Sequence, residues 1–117
     1  MAIQRFEDII AWQKSQDLAV EVFAIFGNSK HFGFRDHICN AVVSISNNIA
    51  EGFDRSSDAD FSRFLYIAQG SASETKSMLY LAERLNFIDE NKNLTLIKQC
   101  DEASKIIRGL IKSIAKK

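Results

Sequence analysis

The chain has 117 residues, of which 46% are hydrophobic and 26% charged, with fifteen basic residues cancelling fifteen acidic ones. That length and balance exclude a disordered chain and describe one domain able to bury a core without disulfides or metals. A neutral total also removes the simplest argument for a surface that binds nucleic acid everywhere.

With no proline and only five glycines, the commonest helix breakers and hairpin formers are missing, and helix is favoured over sheet. The first helix is expected over about residues 7–27. Ile9, Trp12, Ala19, Val22, Phe23 and Phe26 recur at helical spacing, Glu7 and Asp8 suit the positive end of the helix dipole, and Gly27-Asn28-Ser29 supplies a stop.

The second helix is expected over about 34–52, with Ile38, Ala41, Val42, Ile45 and Ile49 on its apolar face and Gly52 placed to end it in a left-handed conformation. Its other face carries Asn40, Ser44, Asn47, Asn48 and Glu51, short polar side chains where a solvent face usually carries Lys and Glu.

Ser57, with Asp60 three residues on, resembles a capping box and opens a third helix over about 57–86. Phe61, Phe64, Leu65, Ala68, Ala72, Thr75, Leu79, Ala82 and Leu85 form its apolar stripe. Gly70 in its middle costs about 1 kcal/mol relative to alanine, which points to a packing reason. A fourth helix over about 91–115 follows from Leu94, Ile97, Ala103, Ile106, Ile107, Leu110, Ile111 and Ile114. Short connectors between helices of this length make antiparallel neighbours, so the expected fold is all-α: an antiparallel up-and-down four-helix bundle forming one domain over residues 1–117.

Such a bundle invites a di-iron centre, but neither His31 nor His37 stands three residues after a glutamate. Cys39 and Cys100 match no metal spacing and no CxxC motif, so free structural thiols in a reducing compartment are expected. No nucleophile turn or phosphate-cradling glycine loop is present. Glu51 and Glu74 are formally a carboxylate pair, but on packed helices such residues more often serve as hydrogen-bond partners. The expectation is a protein without catalytic site, cofactor or small-molecule substrate. A start without a basic and apolar leader, and no run of 18 apolar residues, point to a cytoplasmic protein that does not span a membrane.

Two groups of residues remain as candidates. Ser44, Asn48 and Glu51 fall on one face of the second helix, opposite Ser71 and Glu74 on the third. If these faces meet, they form a polar network that sets helix register or a subunit interface; a ligand pocket and an ordinary wet surface are the alternatives. Residues 103–117 hold five basic and no acidic residues, against ten basic and fifteen acidic elsewhere. Lys105, Arg108, Lys112 and Lys116 lie along one face there, a candidate nucleic-acid contact if not simply a solubilising helix end.

The run Ser44-Ile45-Ser46-Asn47-Asn48-Ile49-Ala50-Glu51-Gly52, followed by Phe64-Leu65-Tyr66-Ile67-Ala68-Gln69-Gly70-Ser71, resembles the four-helix-bundle family of 23S rRNA-intervening-sequence proteins. Phe6-Glu7-Asp8-Ile9 and Trp12-Gln13-Lys14 are similar to that family's start. The resemblance implies an up-and-down bundle assembling as a homopentamer, encoded in some bacteria within insertions in the large ribosomal RNA gene and without enzymatic activity. Similar bundles include the accessory variability protein of diversity-generating retroelements, which binds a reverse transcriptase and nucleic acid. An assembly or adaptor protein is thus expected, with an RNA or nucleoprotein partner as the alternative. This chain departs from the family at Cys39 and Asn40, where two arginines are common, and at Ser46, where proline is common. The first change should weaken attraction for phosphates and the second should straighten the second helix.

Overall fold

A computed structural model describes residues 3–116. Chain entry is not helical from Glu7 as expected. Phe6–Asp8 form a single 3-10 turn, Ile9 is extended (φ −77°, ψ 120°), and helix α1 runs over Ile10–Phe26. The extended backbone turns Ile9 into the core, and Gln13 Nε2 donates to the Glu7 carbonyl at 2.8 Å. Glu7 and Asp8 therefore lie in the 3-10 turn and not in the first turn of α1.

The buried stripe of α1 is Ala11, Ser15, Leu18, Val22 and Phe26, whereas Phe23 is exposed and Trp12 and Ala19 are half-buried. Ser15 explains the difference: its hydroxyl donates to the Ala11 carbonyl at 2.7 Å, so a polar side chain occupies a core position without an unmet hydrogen bond. A hydropathy pattern that assigns Ser15 to the surface rotates the whole stripe.

Helix α2 spans Phe32–Phe53, α3 Asp58–Arg84 and α4 Glu90–Ala115. The Ser57 hydroxyl accepts from the Asp60 amide (3.1 Å) at the start of α3, and Asp89 Oδ1 accepts from the Lys92 amide (2.9 Å) at the start of α4. Each replaces a hydrogen bond that the first helical turn cannot make internally. After α3, Asn86 takes a left-handed conformation (φ 62°), with its amide bonded to the Glu83 carbonyl and the Phe87 amide to that of Ala82. This pair of bonds closes the helix in a Schellman motif.

Gly52 does not end α2 in a left-handed conformation, since no described glycine has positive φ. It lies inside α2, and a Cβ there would sit 2.6 Å from the Phe64 Cβ and 3.2 Å from Phe61 Cδ1. The glycine lets α2 and α3 approach closely there. Gly70 differs again: it is exposed, and nothing lies within 4 Å of the position of a Cβ. The packing reason expected for it is not within the bundle.

Each helix packs antiparallel on its chain neighbour, and α1 closes on α4, giving an up-and-down four-helix bundle of 45 × 22 × 19 Å. Leu18, Val22, Ile38, Val42, Ile45, Ile49, Leu65, Leu79, Leu96 and Ile107 form its centre. Phe34 packs against both Phe26 and Phe87 at one end, with His31 stacked on Phe87 at 4.0 Å. On α4 the register again differs from the apolar pattern, because Leu94 is exposed while Asn93, Leu96 and Cys100 are buried. Leu85 is also exposed, where it was expected on the core stripe of α3.

Candidate functional site

The α2–α3 contact is built around Ser44. Its Oγ accepts from Asn48 Nδ2 at 2.9 Å and from Ser71 Oγ at 2.8 Å, while the same Asn48 nitrogen donates to the Ser44 carbonyl at 2.7 Å. The four-residue spacing of Ser44 and Asn48 sets them one above the other on α2. Ser71 meets them because α3 runs antiparallel alongside. One turn further, Thr75 Oγ1 donates to the Ser71 carbonyl at 2.8 Å. On the other side of α2, Gln16 Nε2 of α1 donates to Ser46 Oγ at 3.0 Å. Ser46 thus has a partner on α1 at the position where the sequence resemblance leads one to expect proline, and α2 continues through it.

Glu51 and Glu74 do not join this clasp. Both are exposed: Glu51 accepts from Arg55 Nη2 at 2.9 Å within α2, and Glu74 pairs with His37 Nε2 at 2.7 Å across the helices. The grouping of five residues expected from sequence is three residues in structure, with the two carboxylates at its edges. One lies toward each end of the α2–α3 face.

Between these edges the surface carries no charge. Residues 38–50 of α2 and 64–73 of α3 include no charged side chain. Their outward positions are Asn40 and Asn47 on α2 and Tyr66, Ile67, Gly70 and Ser73 on α3, all exposed. Of the apolar residues off the main stripes, Ile10, Ile67 and Leu81 are exposed, whereas Ile25 and Val43 pack partly against the core.

Lys105, Arg108, Lys112 and Lys116 are all exposed, on the side of α4 away from the buried Ile107, Ile111 and Ile114. Arg108 is the one of the four with a partner on α3. With its amide turned to suit both neighbours, Gln69 donates to the Ser104 carbonyl at 3.2 Å and accepts from Arg108 Nη1 at 2.9 Å. Lower on the same seam, Lys76 Nζ meets Asp101 Oδ1 at 2.7 Å, and this hydrogen bond raises the Lys76 pKa.

Three buried polar or thiol side chains went unread in the sequence as site residues. Asn93 Nδ2 donates to the Leu79 carbonyl (3.0 Å) and to Glu83 Oε1 (2.8 Å), tying the start of α4 to the end of α3. Its only sequence signal is a place in the helical repeat with Leu96, Ile97 and Cys100. Cys39 and Cys100 are free and buried; burial raises the pKa of both, that of Cys100 to about 12. Among the described residues no group of His, Cys, Asp and Glu is arranged to hold a metal ion. No helix of the described residues is long and apolar enough to cross a membrane.

Fold and surface together define an all-α four-helix bundle whose second and third helices are clasped by uncharged polar side chains. The model of the 23S rRNA-intervening sequence protein family matches residues 7–109, and the chain belongs to that family. Its fold is similar to a crystal structure from Bacteroides thetaiotaomicron, described as a protein with unknown function from the S23 ribosomal protein family. That match has a TM-score of 0.83 and 28% identity, and covers 88% of this chain and 99% of the other. No curated protein is similar enough to match this chain.

Proposed function

We propose that this protein is a non-catalytic building block that assembles with copies of itself, by family resemblance into a pentamer, and serves as an assembly or adaptor protein in the cytoplasm. The observation that carries this reading is the charge-free outward face of α2 and α3. A solvated helix face is ordinarily lined by charged side chains, and a wide neutral face with exposed Ile67 and an open Gly70 marks a contact surface. The charge-free stretch is about 20 Å long at 1.5 Å per residue, so across the 22 Å width of the bundle it offers on the order of 400 Å², about half of the roughly 800 Å² per partner of a stable interface, and forms the centre of a contact completed by its charged edges. Two buried thiols without a disulfide partner support the reading of a reducing compartment.

The test is to place like charges in the face. An Asn47→Glu/Gly70→Glu variant is expected to dissociate to subunits on size-exclusion chromatography with light scattering, while Leu94→Glu on α4 leaves the assembly intact. A double variant that assembles as the parent does would remove the α2–α3 face from this role.

A second reading is supported by the basic end of α4. There Lys105, Arg108, Lys112 and Lys116 are exposed along one face, and residues 103–117 contain no acidic residue. Repeated around a ring, this stripe becomes a multivalent basic surface for an RNA backbone. RNA binding of this kind falls steeply between about 50 and 200 mM salt. It is lost in a Lys105→Glu/Arg108→Glu/Lys112→Glu variant, and unchanged binding by that variant would contradict this reading.

A further inference from the structure

The antiparallel seam between α3 and α4 has a register that two cross-helix contacts define. Lys76 is bonded to Asp101, and Gln69 to Arg108. In an antiparallel pair, residues at one level have a constant sum of numbers; these two contacts have the same sum, while Gln69–Ser104 and Asn93–Leu79, which end on backbone carbonyls, have sums lower by four and five. That register sets Tyr66 beside Lys112, Ser73 beside Lys105 and Tyr80 beside Lys98, to within about one to two helical turns.

Each set recurs every seven residues, close to two helical turns, so it keeps to one side of its helix. Two straight stripes result: Tyr66, Ser73 and Tyr80 on α3, and Lys98, Lys105 and Lys112 on α4. All six residues are exposed. Steps along either stripe are about 10.5 Å, and the two tyrosines stand about 21 Å apart at 1.5 Å per residue.

Their surroundings leave these groups available. Tyr66 and Tyr80 are 63% and 52% exposed, and among the described residues neither ring packs on another aromatic ring. Lys98, Lys105 and Lys112 take part in no ion pair among the described residues. The neighbouring carboxylates are engaged: Asp101 by Lys76, Glu102 by Lys14 at 3.6 Å and Glu83 by Asn93. A shallow hollow beside Tyr66, bordered by Ala59, Ser62, Arg63 and Ile67, leaves room against one ring.

We infer that the α3–α4 face docks single-stranded RNA, with Tyr66 and Tyr80 stacking on unpaired bases while Lys98, Lys105 and Lys112 hold the backbone that runs beside them. This rests on the RNA reading above and adds to it a strand type, two aromatic residues and a lysine outside the basic end of α4. A row of lysines alone serves any polyanion. Exposed rings beside those lysines select unpaired bases, because every base has a face to stack and a duplex keeps its faces covered. A span of about 21 Å suits roughly four nucleotides, the low end of single-strand site sizes. Recognition is then indifferent to base sequence and sensitive to pairing. Tyr66 and Ser73 also border the neutral outward face proposed for assembly, so strand docking requires an assembly contact centred on Asn47, Ile67 and Gly70 that leaves the Tyr66 ring open.

The test is fluorescence anisotropy at about 50 mM salt with a labelled unstructured 12-nucleotide RNA, a duplex of the same length and inorganic polyphosphate as competitor. The parent is expected to bind the unpaired strand about tenfold or more tighter than the duplex. Tyr66→Ala/Tyr80→Ala should weaken the unpaired strand by about tenfold or more and leave the duplex nearly unchanged. Tyr66→Phe/Tyr80→Phe, which keeps the rings, should bind like the parent, and circular dichroism checks that all variants are equally helical. The inference is overturned if the alanine variant binds the unpaired strand like the parent, if duplex and strand bind equally, or if polyphosphate competes as well as the strand. In those cases the charge-reversal variant still tests the broader RNA reading. No RNA bound by the parent overturns both.

Discussion

Ser44 accepts two hydrogen bonds, one from its own helix and one from α3, so its loss leaves both Asn48 and Ser71 short of a partner in a half-buried seam. Ser44→Ala is expected to lower stability by about 1–2 kcal/mol in urea denaturation. Glu51→Ala is expected to change it by less than about 0.5 kcal/mol, because the carboxylate is exposed and paired only within its own helix. Equal losses in the two variants would show that the clasp is not centred on Ser44. At Cys100 the prediction concerns pH. Burial raises the thiol from its ordinary 9.0 to about 12, so below pH 9 the folded and unfolded chains hold the same proton and stability does not depend on this group's titration. Between those values the unfolded chain loses a proton that the folded chain keeps. Its contribution falls by about 1.4 kcal/mol per pH unit across that window and is gone above the folded value. Urea midpoints measured through the lower part of this range should drop more steeply for the parent than for Cys100→Ala; parallel lines would mean that the thiol is not desolvated.

At the scale of helices, the two glycines of α2 and α3 have opposite roles. Gly52→Ala drives a Cβ into Phe64 and is expected to destabilise by about 1–3 kcal/mol, since the helices must part or the ring must shift. Gly70→Ala meets nothing within the subunit and should stabilise the dissociated subunit by about 1 kcal/mol. Denaturation of both variants at low protein concentration checks the contrast, and a destabilising Gly70→Ala would place an unseen neighbour against it. Neither role could be read from glycine as a residue type, because close approach depends on which side chain of another helix stands opposite. The apolar stripe of α2 was legible because Ile38, Ala41, Val42, Ile45 and Ile49 are all buried and hydrophobic. Those of α1 and α4 were less so, because Ser15 and Asn93 hold core positions through hydrogen bonds that hydropathy does not register. The Ser57 cap could be read because its partner is three residues away. The partners of Glu51 and Glu74 could not: Arg55 and His37 compete for them with the clasp, and only the helix rotations decide.

In the whole molecule, α3 separates two surfaces of different chemistry. Toward α2 the outward surface is neutral, clasped by Ser44, Asn48 and Ser71, and bounded by the Glu51–Arg55 and His37–Glu74 pairs. Toward α4 it is basic and aromatic. A chain with no net charge can still present a concentrated basic surface if assembly repeats one stripe several times while covering the neutral face. The proposed function therefore depends on self-association. The direct measurement is light scattering on the purified protein at micromolar concentration. A particle several times the 13.2 kDa subunit mass is expected, fivefold for the pentamer that the family resemblance implies, and a 13.2 kDa particle under those conditions would rule self-association out.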